Sequence, residues 1–309
     1  MNPATGRKTL FLGDWKGFTG VSWARDKQIG LLLMEHNDRF DQLEPFWKDI
    51  QGWAVAETFH VWRYLLRKQR EFSLSGHSME IGSFMGKCSS ILAADIDLYR
   101  KERLILIDPN IRTQELRSAH GLAGLDSDEA ISFYEISSQR ISKEELSLKR
   151  GDVRWIHIDG EHTGSAVSND LDIAHELTMD GGIVVLDDFF SVAYPQITFS
   201  AVRYLDRYPD RFVPLLIAYG KLYLSRPKPA FWLKQHIAIQ LAPELEKAGY
   251  TCTLCKTTHS EDLDCLSIKP GGFYQGIMGP DWSDSTIELA RSFNMQQLHE
   301  LADKANKVL

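Results

Sequence analysis

Ser78-Met79-Glu80-Ile81-Gly82-Ser83-Phe84-Met85-Gly86 predicts a buried strand that ends in a glycine turn. A helix over Ile91–Tyr99 and a second strand over Arg103–Pro109 follow it. A glycine at the end of a buried strand lets the backbone approach a ligand, and the next helix begins with its amide hydrogens facing that ligand. Asp108 ends the second strand, where a carboxylate can accept hydrogen bonds from a ribose diol. The stretch therefore indicates a nucleotide-type site.

The glycine spacing discriminates among nucleotides. A dinucleotide fingerprint needs Gly-x-Gly-x-x-Gly, because the middle glycine lets a pyrophosphate lie against the chain. Here Ser83 and Phe84 follow Gly82, and the next glycine is Gly86. Glu80-x-Gly82-x-x-x-Gly86 instead resembles the first motif of class I S-adenosylmethionine-dependent methyltransferases, whose ligand has no pyrophosphate. The alternative is that both glycines only form a tight turn between strand and helix.

Composition and charge limit the classes of function that the chain can have. The chain has 309 residues, of which 43% are apolar, which is enough for a full core. A net charge of −7 and a pI near 5.8 disfavour a nucleic-acid partner. No apolar run reaches the roughly twenty residues that span a bilayer, and Met1–Lys8 lacks the apolar core of a signal peptide. Four cysteines do not form a disulfide scaffold, so we expect a cytoplasmic protein without a membrane partner.

Strands and helices alternate after Asp108. Predicted helices cover Thr113–Leu122, Lys143–Leu148 and Ala166–Met179, and predicted strands cover Ile131–Ile136, Val153–Ile158 and Ile183–Leu186, the last after an Asp180-Gly181-Gly182 turn. Such alternation predicts an α/β fold, a Rossmann-like, doubly wound and mostly parallel sheet covered on both faces. Ligands bind at the carboxyl ends of these strands, where Gly82, Asp108, Asp159 and Asp187 fall.

The rest of the chain divides around this sheet. We expect an N-terminal helical or lid segment (1–51), a cofactor-binding domain (52–225) that opens with the helix Gly52–Arg70, and a C-terminal α+β extension (226–309). An antiparallel pair should close the sheet, and the extension could cover the site, form a contact in a homo-oligomer or bind a partner. The remaining predicted elements are the helix Tyr194–Leu205, the strand pair Phe212–Ala218 and Lys221–Ser225, the helix Ala230–Ala248, the strands Tyr250–Lys256 and Asp264–Ile268, and the helix Ser283–Leu309.

A family resemblance follows from two further segments. Ile156-His157-Ile158-Asp159-Gly160-Glu161-His162-Thr163 precedes Asp170, and Asp180-Gly181-Gly182-Ile183-Val184-Val185-Leu186-Asp187-Asp188-Phe189 comes next. Together they resemble the methyltransferases that include macrocin and other antibiotic-sugar O-methyltransferases. Those enzymes keep a strand-Asp-Gly-x-His segment, a Gly-Gly turn and a strand that ends in Asp-Asp. The resemblance covers about Gly52–Leu224 and implies S-adenosylmethionine as the methyl donor.

The carboxylates suggest the chemistry. Asp159, Asp187 and Asp188 follow two strands that should be neighbours, and oxygen ligands on rigid strand ends suit Mg²⁺. The resemblance implies the same three ligands, with Asp159 also serving catalysis. His162 is then the candidate general base, with Glu161 as an alternative base or a surface residue. Adjacent aspartates after a strand can also be helix caps or solvated turn residues.

The resemblance also implies a set of cofactor contacts. Glu80 would act at the methionine end of the cofactor or fix the turn, and Asp108 would bind the ribose. Ser137 departs from the Asp-Ser that the family often has on the adenine side. The full predicted set is Glu80, Gly82, Ser83, Gly86, Ser89, Asp108, Ser137, Ser138 and Asp159.

We therefore expect an S-adenosylmethionine-dependent, Mg²⁺-dependent O-methyltransferase acting on a hydroxyl of a small molecule such as a sugar, polyol or secondary metabolite. Two alternatives are another enzyme on the same fold, such as an oxidoreductase or a metal-dependent enzyme, and a non-catalytic cofactor-binding protein. The missing pyrophosphate glycines disfavour the oxidoreductase, and the Asp159, His162, Asp187 and Asp188 set disfavours the non-catalytic protein.

Cys252-x-x-Cys255, followed by His259 and Cys265, raises the alternative of a zinc site. The spacing is only near that of a zinc knuckle, and the cysteines straddle a strand pattern in which alternate residues face a core. Ordinary buried or edge cysteines are the favoured interpretation.

Overall fold

The computed structural model describes residues 39–256 and 265–270. The predicted lid up to residue 38, the predicted helix Ser283–Leu309 and the candidate zinc ligand His259 lie outside the described residues.

The first half of the described chain alternates helix and strand. Residues 39–47 are helical (α1). Then come α2 (Ala56–Glu71), β1 (His77–Ile81), α3 (Lys87–Ala94), β2 (Leu104–Ile107), α4 (Thr113–Leu122), β3 (Ile131–Tyr134), α5 (Lys143–Leu146), β4 (Val153–Ile158) and α6 (Gly164–Leu177).

The second half completes the sheet. It contains β5 (Thr178–Leu186), α7 (Pro195–Arg207), β6 (Val213–Ala218), β7 (Lys221–Ser225), α8 (Pro227–His236), a π-helical turn (Ile237–Leu241), α9 (Ala242–Lys247), β8 (Cys252–Lys256) and β9 (Leu266–Pro270).

One sheet contains all nine of these strands, in the order β3-β2-β1-β4-β5-β7-β6-β9-β8. The strands from β3 to β5 are parallel to their neighbours, and β7 pairs antiparallel with both β5 and β6. The chain order reverses between β1 and β4, which is where ligands bind in doubly wound sheets. The predicted Rossmann-like α/β fold is confirmed.

Helices cover both faces of the sheet, so its strands are buried on two sides. Apolar side chains of α1–α4, α8 and α9 pack with one set of strand residues, including Trp155 and Tyr223. Side chains of α5, α6 and α7 pack with the alternate set, including Ile156 and Leu222. We call the two surfaces the α2 face and the α6 face. No helix in the described part of the chain is long and apolar enough to cross a membrane.

Several helices differ from their predicted bounds, and the predicted helix Ala230–Ala248 is divided into α8, the π-helical turn and α9. The ends of α2 and α3 differ most. α2 begins at Ala56 rather than Gly52, because Gly52 packs against Lys87 and Val55 is extended. α3 covers Lys87–Ala94 rather than Ile91–Tyr99. It ends early because Asp95 turns out of the helix into a cluster of buried ion pairs.

The predicted Asp180-Gly181-Gly182 turn is instead an irregular part of β5. Val153 of β4 pairs with Thr178 and Trp155 with Ile183, so the register shifts across this segment and the extra residues bulge. Gly181 has φ +83°, in the left-handed region that favours glycine.

The two strands after α9 extend the same sheet, because β9 pairs with β6 and β8 pairs with β9. Cys252 and Cys255 are three residues apart on β8, so their side chains point to opposite faces of the strand. This geometry favours the interpretation of Cys252 as an ordinary buried cysteine.

A buried ion cluster joins elements at the amino edge of the sheet. Arg70 of α2 binds Glu102 through two nitrogens, at 2.7 and 2.5 Å, and Arg154 of β4 binds Asp95 at 2.5 Å. Glu102 also accepts hydrogen bonds from the backbone N–H groups of Gly76 and Asp97. Burial opposes ionisation of Glu102, but Arg154 and Arg70 outweigh it and lower its pKa to about 2. The cluster fixes the loops that enter β1 and β2.

We expect Glu102→Gln to lower the free energy of unfolding at pH 7 by about 3 kcal/mol, which is the free energy equivalent to the pKa shift of Glu102. The folded pKa of about 2 lies below the ordinary 4.5, so this stability is present above pH 4.5 and disappears as the pH falls toward 2. Urea unfolding of both proteins at pH 7 and pH 3 measures the difference. Glu129→Gln, at an exposed position, is the control, and an equal loss at both pH values would contradict this account.

Candidate functional site

Four strand ends meet at the carboxyl edge of the sheet, as the sequence predicts. Backbone hydrogen bonds continue past the strands and bring these ends side by side: Gly82 N donates to Ile107 O at 2.8 Å, Asp159 N to Ile81 O at 2.8 Å, and Asp187 N to Ile158 O at 2.9 Å. The turn after β1 therefore lies directly against the residue that follows β4.

The structure explains both predicted glycines by packing. A Cβ on Gly82 would lie 1.9 Å from the backbone oxygen of Asp159, and Gly82 has φ +82°. A Cβ on Gly86 would lie 3.1 Å from Ala119 and from Leu116 of α4, again at positive φ. The protein itself fills the space that each glycine leaves, so direct contact of these glycines with a cofactor stays a prediction.

Asp108 organises the glycine turn. Its Oδ2 accepts hydrogen bonds from the backbone N–H groups of Ser83, at 2.9 Å, and Phe84, at 3.3 Å, and its Oδ1 accepts one from Asn110 N at 2.8 Å. Phe84 has φ +43°, an uncommon conformation that these bonds help to hold. Oδ1 accepts only one of these bonds and has a further lone pair, so it can also accept a hydrogen bond from a ribose hydroxyl.

The predicted serines lie at different depths. Ser89 is fully buried, and its Oγ lies 3.0 Å from His120 Nε2. Ser137 and Ser138 follow β3, and the backbone oxygen of Ser138 accepts a hydrogen bond from Asn169 of α6 at 3.2 Å. Ser138 is buried, whereas Ser137 is partly exposed. The structure thus places Ser137 and Ser138 at the site edge and Ser89 between two helices.

The acidic group at the edge has two parts. In the first, His162 Nε2 lies 3.3 Å from Asp188 Oδ2 and 3.6 Å from Asp159 Oδ1. One ligand atom from each of these three residues lies within 4.8 Å of the others, which could hold a metal ion. Contact with Asp159, joined by the charge of Asp188, outweighs burial and raises the pKa of His162. About a third of each side chain is exposed, so a ligand can reach them.

The second part is a buried row of ionisable side chains on the α2 face. Glu80 Oε1 lies 2.7 Å from His157 Nδ1, His157 Nε2 lies 3.5 Å from Asp187 Oδ2, and Asp187 forms an ion pair with Lys221. Burial opposes protonation of His157, but Asp187 and Glu80 outweigh it and raise its pKa to about 9. The same contacts, with Lys221 foremost, lower the pKa of Asp187 despite its burial.

His157 and Lys221 were missed by the sequence prediction. A signal was present, since Glu80, His157 and Lys221 each lie next to apolar residues that would face the other side of the sheet. Such positions must be buried in a covered sheet, and buried charges need partners.

Aromatic side chains border the site. The ring of Tyr194, from the segment between β5 and α7, lies 4.0 Å from the ring of His162. Phe190 in the same segment is 64% exposed and has φ +68°. On the other side Trp53 stacks on Phe84 of the glycine turn, with 4.8 Å between ring centroids.

Comparison with known proteins agrees with this geometry. Residues 79–189 match the family model described as "Methyltransferase domain". This range runs from β1 to the residue after Asp188 and includes the turn and all four strand ends. No curated protein sequence matches the chain.

Solved structures with a similar shape include several methyltransferases. The O-methyltransferase NovP is 12% identical and aligns over 65% of this chain and 98% of its own, with a TM-score of 0.46. CalS11, titled a TDP-rhamnose 3'-O-methyltransferase of calicheamicin biosynthesis, is 13% identical over 61% and 93%, with a TM-score of 0.43. An O-methyltransferase from Bacillus cereus in complex with SAH is 12% identical over 67% and 93%, with a TM-score of 0.42.

The matched range and the strand order agree. Residues 79–189 match a methyltransferase domain in sequence, and their strands have the order of a doubly wound sheet.

We expect the measured pKa of His162 to lie above its ordinary 6.5 and to fall in Asp159→Asn, because the neutral amide no longer favours the imidazolium. A pH titration of the histidine ring signals by NMR measures both values, with His162→Gln to assign the signal. Glu161→Gln removes an adjacent, exposed carboxylate and should leave the pKa unchanged. Equal shifts in the two variants would show that Asp159 is not the partner of His162.

Proposed function

We propose that this chain, a class I S-adenosylmethionine-dependent methyltransferase, methylates a hydroxyl oxygen of a small molecule with the help of Mg²⁺. The observation that carries the proposal is the convergence of Asp159, Asp188 and His162 beside the glycine turn. A methyl transfer between two bound molecules needs donor and acceptor held side by side. The glycine turn lies directly against Asp159, so the two parts of the site adjoin.

The donor would lie along the glycine turn. We assign it the predicted residues Glu80, Gly82, Ser83, Gly86, Ser89, Asp108, Ser137, Ser138 and Asp159. Among the described residues, Glu80 Oε2 and Ser83 Oγ are buried and have no hydrogen-bond partner. Unpaired buried oxygens are costly, and both fit a ligand that brings an ammonium group and hydroxyls. When bound, the sulfonium of the donor supplies an electrophilic methyl group.

The cation would be held by the carboxylates of Asp159, Asp187 and Asp188. Hard oxygen ligands at strand ends suit Mg²⁺, and His162 lies beside two of these carboxylates, where it can receive a proton. Mg²⁺ lowers the pKa of a hydroxyl group that it binds. Asp187 Oδ1 already accepts a hydrogen bond from Asp188 N at 2.8 Å, and its Oδ2 binds Lys221. Asp159 and Asp188 are therefore the more available ligands.

His162 would take the proton of the acceptor hydroxyl at Nε2. Its ring lies against Tyr194, and Gln196 Nε2 donates a hydrogen bond to the backbone oxygen of His162 at 2.6 Å. Both contacts come from the segment around the start of α7, so they fix the base relative to Asp188. Because the pKa of His162 is raised above the ordinary 6.5, its neutral, basic form predominates only at a pH above that value.

The acceptor would be a small molecule with a hydroxyl, such as a sugar, a polyol or a secondary metabolite. The net charge of −7 disfavours polyanionic acceptors. The exposed rings of Phe190 and Tyr194 offer a surface on which the carbon skeleton of such a molecule could lie.

Two variants separate the donor site from the acceptor site. We expect Asp108→Ala to weaken the binding of S-adenosylhomocysteine at least about tenfold, because the turn loses two hydrogen bonds to a charged group. Asp188→Asn should keep that affinity within about threefold and lower the rate of methyl transfer at least about a hundredfold.

Calorimetry with S-adenosylhomocysteine measures the affinity, and mass spectrometry of products from a panel of hydroxylated small molecules measures transfer. Asp206→Asn, exposed at the end of α7, is the control for both. If the wild-type protein bound NAD but not S-adenosylhomocysteine, the proposed donor would be wrong. If Asp188→Asn transferred methyl groups at the wild-type rate, the proposed cation site would be wrong.

A further inference from the structure

Lys221 is a cation inside the proposed site that the proposed reaction does not use. It is the first residue of β7, its side chain is 1% exposed, and its Nζ forms an ion pair with Asp187 Oδ2. Among the described residues, no acceptor other than Asp187 takes a hydrogen bond from this ammonium group. A lysine is rarely buried to this degree unless its charge has a specific partner.

The fold fixes Lys221 relative to the two aspartates. Lys221 follows the tight turn Tyr219-Gly220, in which both residues have positive φ. The backbone oxygen of Gly220 accepts a hydrogen bond from Phe189 N at 2.8 Å. The turn before Lys221 is therefore tied to the segment that carries Asp187 and Asp188.

Lys221 also ends the row Glu80–His157–Asp187–Lys221, which crosses four neighbouring strands, β1, β4, β5 and β7. All four side chains lie on the α2 face, because each alternates with residues packed on the α6 face. Asp187 thus lies between His157 and Lys221 and is only 15% exposed, whereas Asp188 lies outside the row and is 33% exposed.

A fixed positive charge beside three carboxylates opposes the binding of a second cation. Lys221 both repels a divalent ion and occupies the oxygen that Asp187 would offer it. On the basis of the proposed Mg²⁺ site, we propose that Lys221 competes with a divalent cation for Asp187 and so keeps the affinity of the site for that cation low. Lys221 is a positioning residue for Asp187 in this account.

A purely structural role makes a different prediction. If Lys221 served only to balance the buried charge of Asp187, its removal would lower stability and leave cation affinity unchanged or weaker. Cation binding, measured without donor or acceptor, therefore separates the two roles.

The test is titration with Mn²⁺ alone, followed by electron paramagnetic resonance of the free ion. We expect Lys221→Met and Lys221→Gln to bind Mn²⁺ at least about tenfold more tightly than the wild-type protein, because one repulsive charge is gone and Asp187 is free to bind the ion. Lys221→Arg keeps the charge and should stay within about threefold of wild type. Lys228→Met removes the same charge at the opposite edge of the sheet and should change nothing.

A second measurement needs no variant. In protein labelled with ¹⁵N-lysine, saturating Mg²⁺ should shift the side-chain signal of Lys221, because the ion displaces it from Asp187. Thermal unfolding verifies that each variant is folded.

The inference would be overturned if the folded Met and Gln variants bound Mn²⁺ no more tightly than wild type, or if the Lys221 signal stayed in place at saturation. Asp188→Asn distinguishes this failure from that of the proposed function. Mn²⁺ binding that Asp188→Asn abolishes but Lys221→Met does not strengthen defeats the inference alone. Absence of binding in every protein defeats both the inference and the proposed cation site.

Discussion

The site depends on the close approach of Gly82 to the backbone oxygen of Asp159. A Cβ at position 82 would lie 1.9 Å from that oxygen, so no other residue can stand there without moving β1 away from β4. The hydrogen bond from Asp159 N to Ile81 O closes the same contact from the other side. These two strands flank the point at which the chain order of the sheet reverses. Because the contact is made by backbone atoms, the distance between the glycine turn and the carboxylates is set by the sheet itself and not by flexible side chains.

The sheet also carries buried charge across its strands. Two clusters of ion pairs lie at opposite edges: Arg70, Asp95, Glu102 and Arg154 at the amino edge, and Glu80, His157, Asp187 and Lys221 at the carboxyl edge. Buried ion pairs gain little over well-packed apolar residues, but loss of one partner is costly. The side chains of the amino-edge cluster pair with one another and with the backbone of the loops that enter β1 and β2. In the carboxyl-edge row Asp187 is followed in the chain by the partly exposed Asp188, so the charges of the row also act on whatever binds there.

Local patterns predict the elements well, and tertiary contacts explain the differences. Thr113–Leu122, Val153–Ile158 and Lys221–Ser225 have the predicted bounds because apolar spacing and turn residues delimit them. α3 ends before its prediction because Asp95 pairs with arginines distant in sequence. His157 and Lys221 were missed for a related reason. Their partners lie on neighbouring strands, and strand order and register decide those contacts. The candidate residues Asp159, His162 and Asp188 were predicted because they follow strands whose carboxyl ends share one edge.

The adjacent aspartates show that identical residues in one sequence motif can have different surroundings in the structure. In sequence Asp187 and Asp188 are equivalent, but the backbone turns into the left-handed region at Asp188, with φ +54°. The turn leaves Asp187 on the α2 face between His157 and Lys221, and it carries Asp188 toward His162. The pKa values diverge accordingly: Lys221 and His157 outweigh burial and lower that of Asp187, whereas burial, with the charges of Asp187 and Asp159, raises that of Asp188. Two identical neighbours thus become a carboxylate paired with Lys221 and a partly exposed carboxylate beside His162, and the strand that carries Lys221 decides which is which.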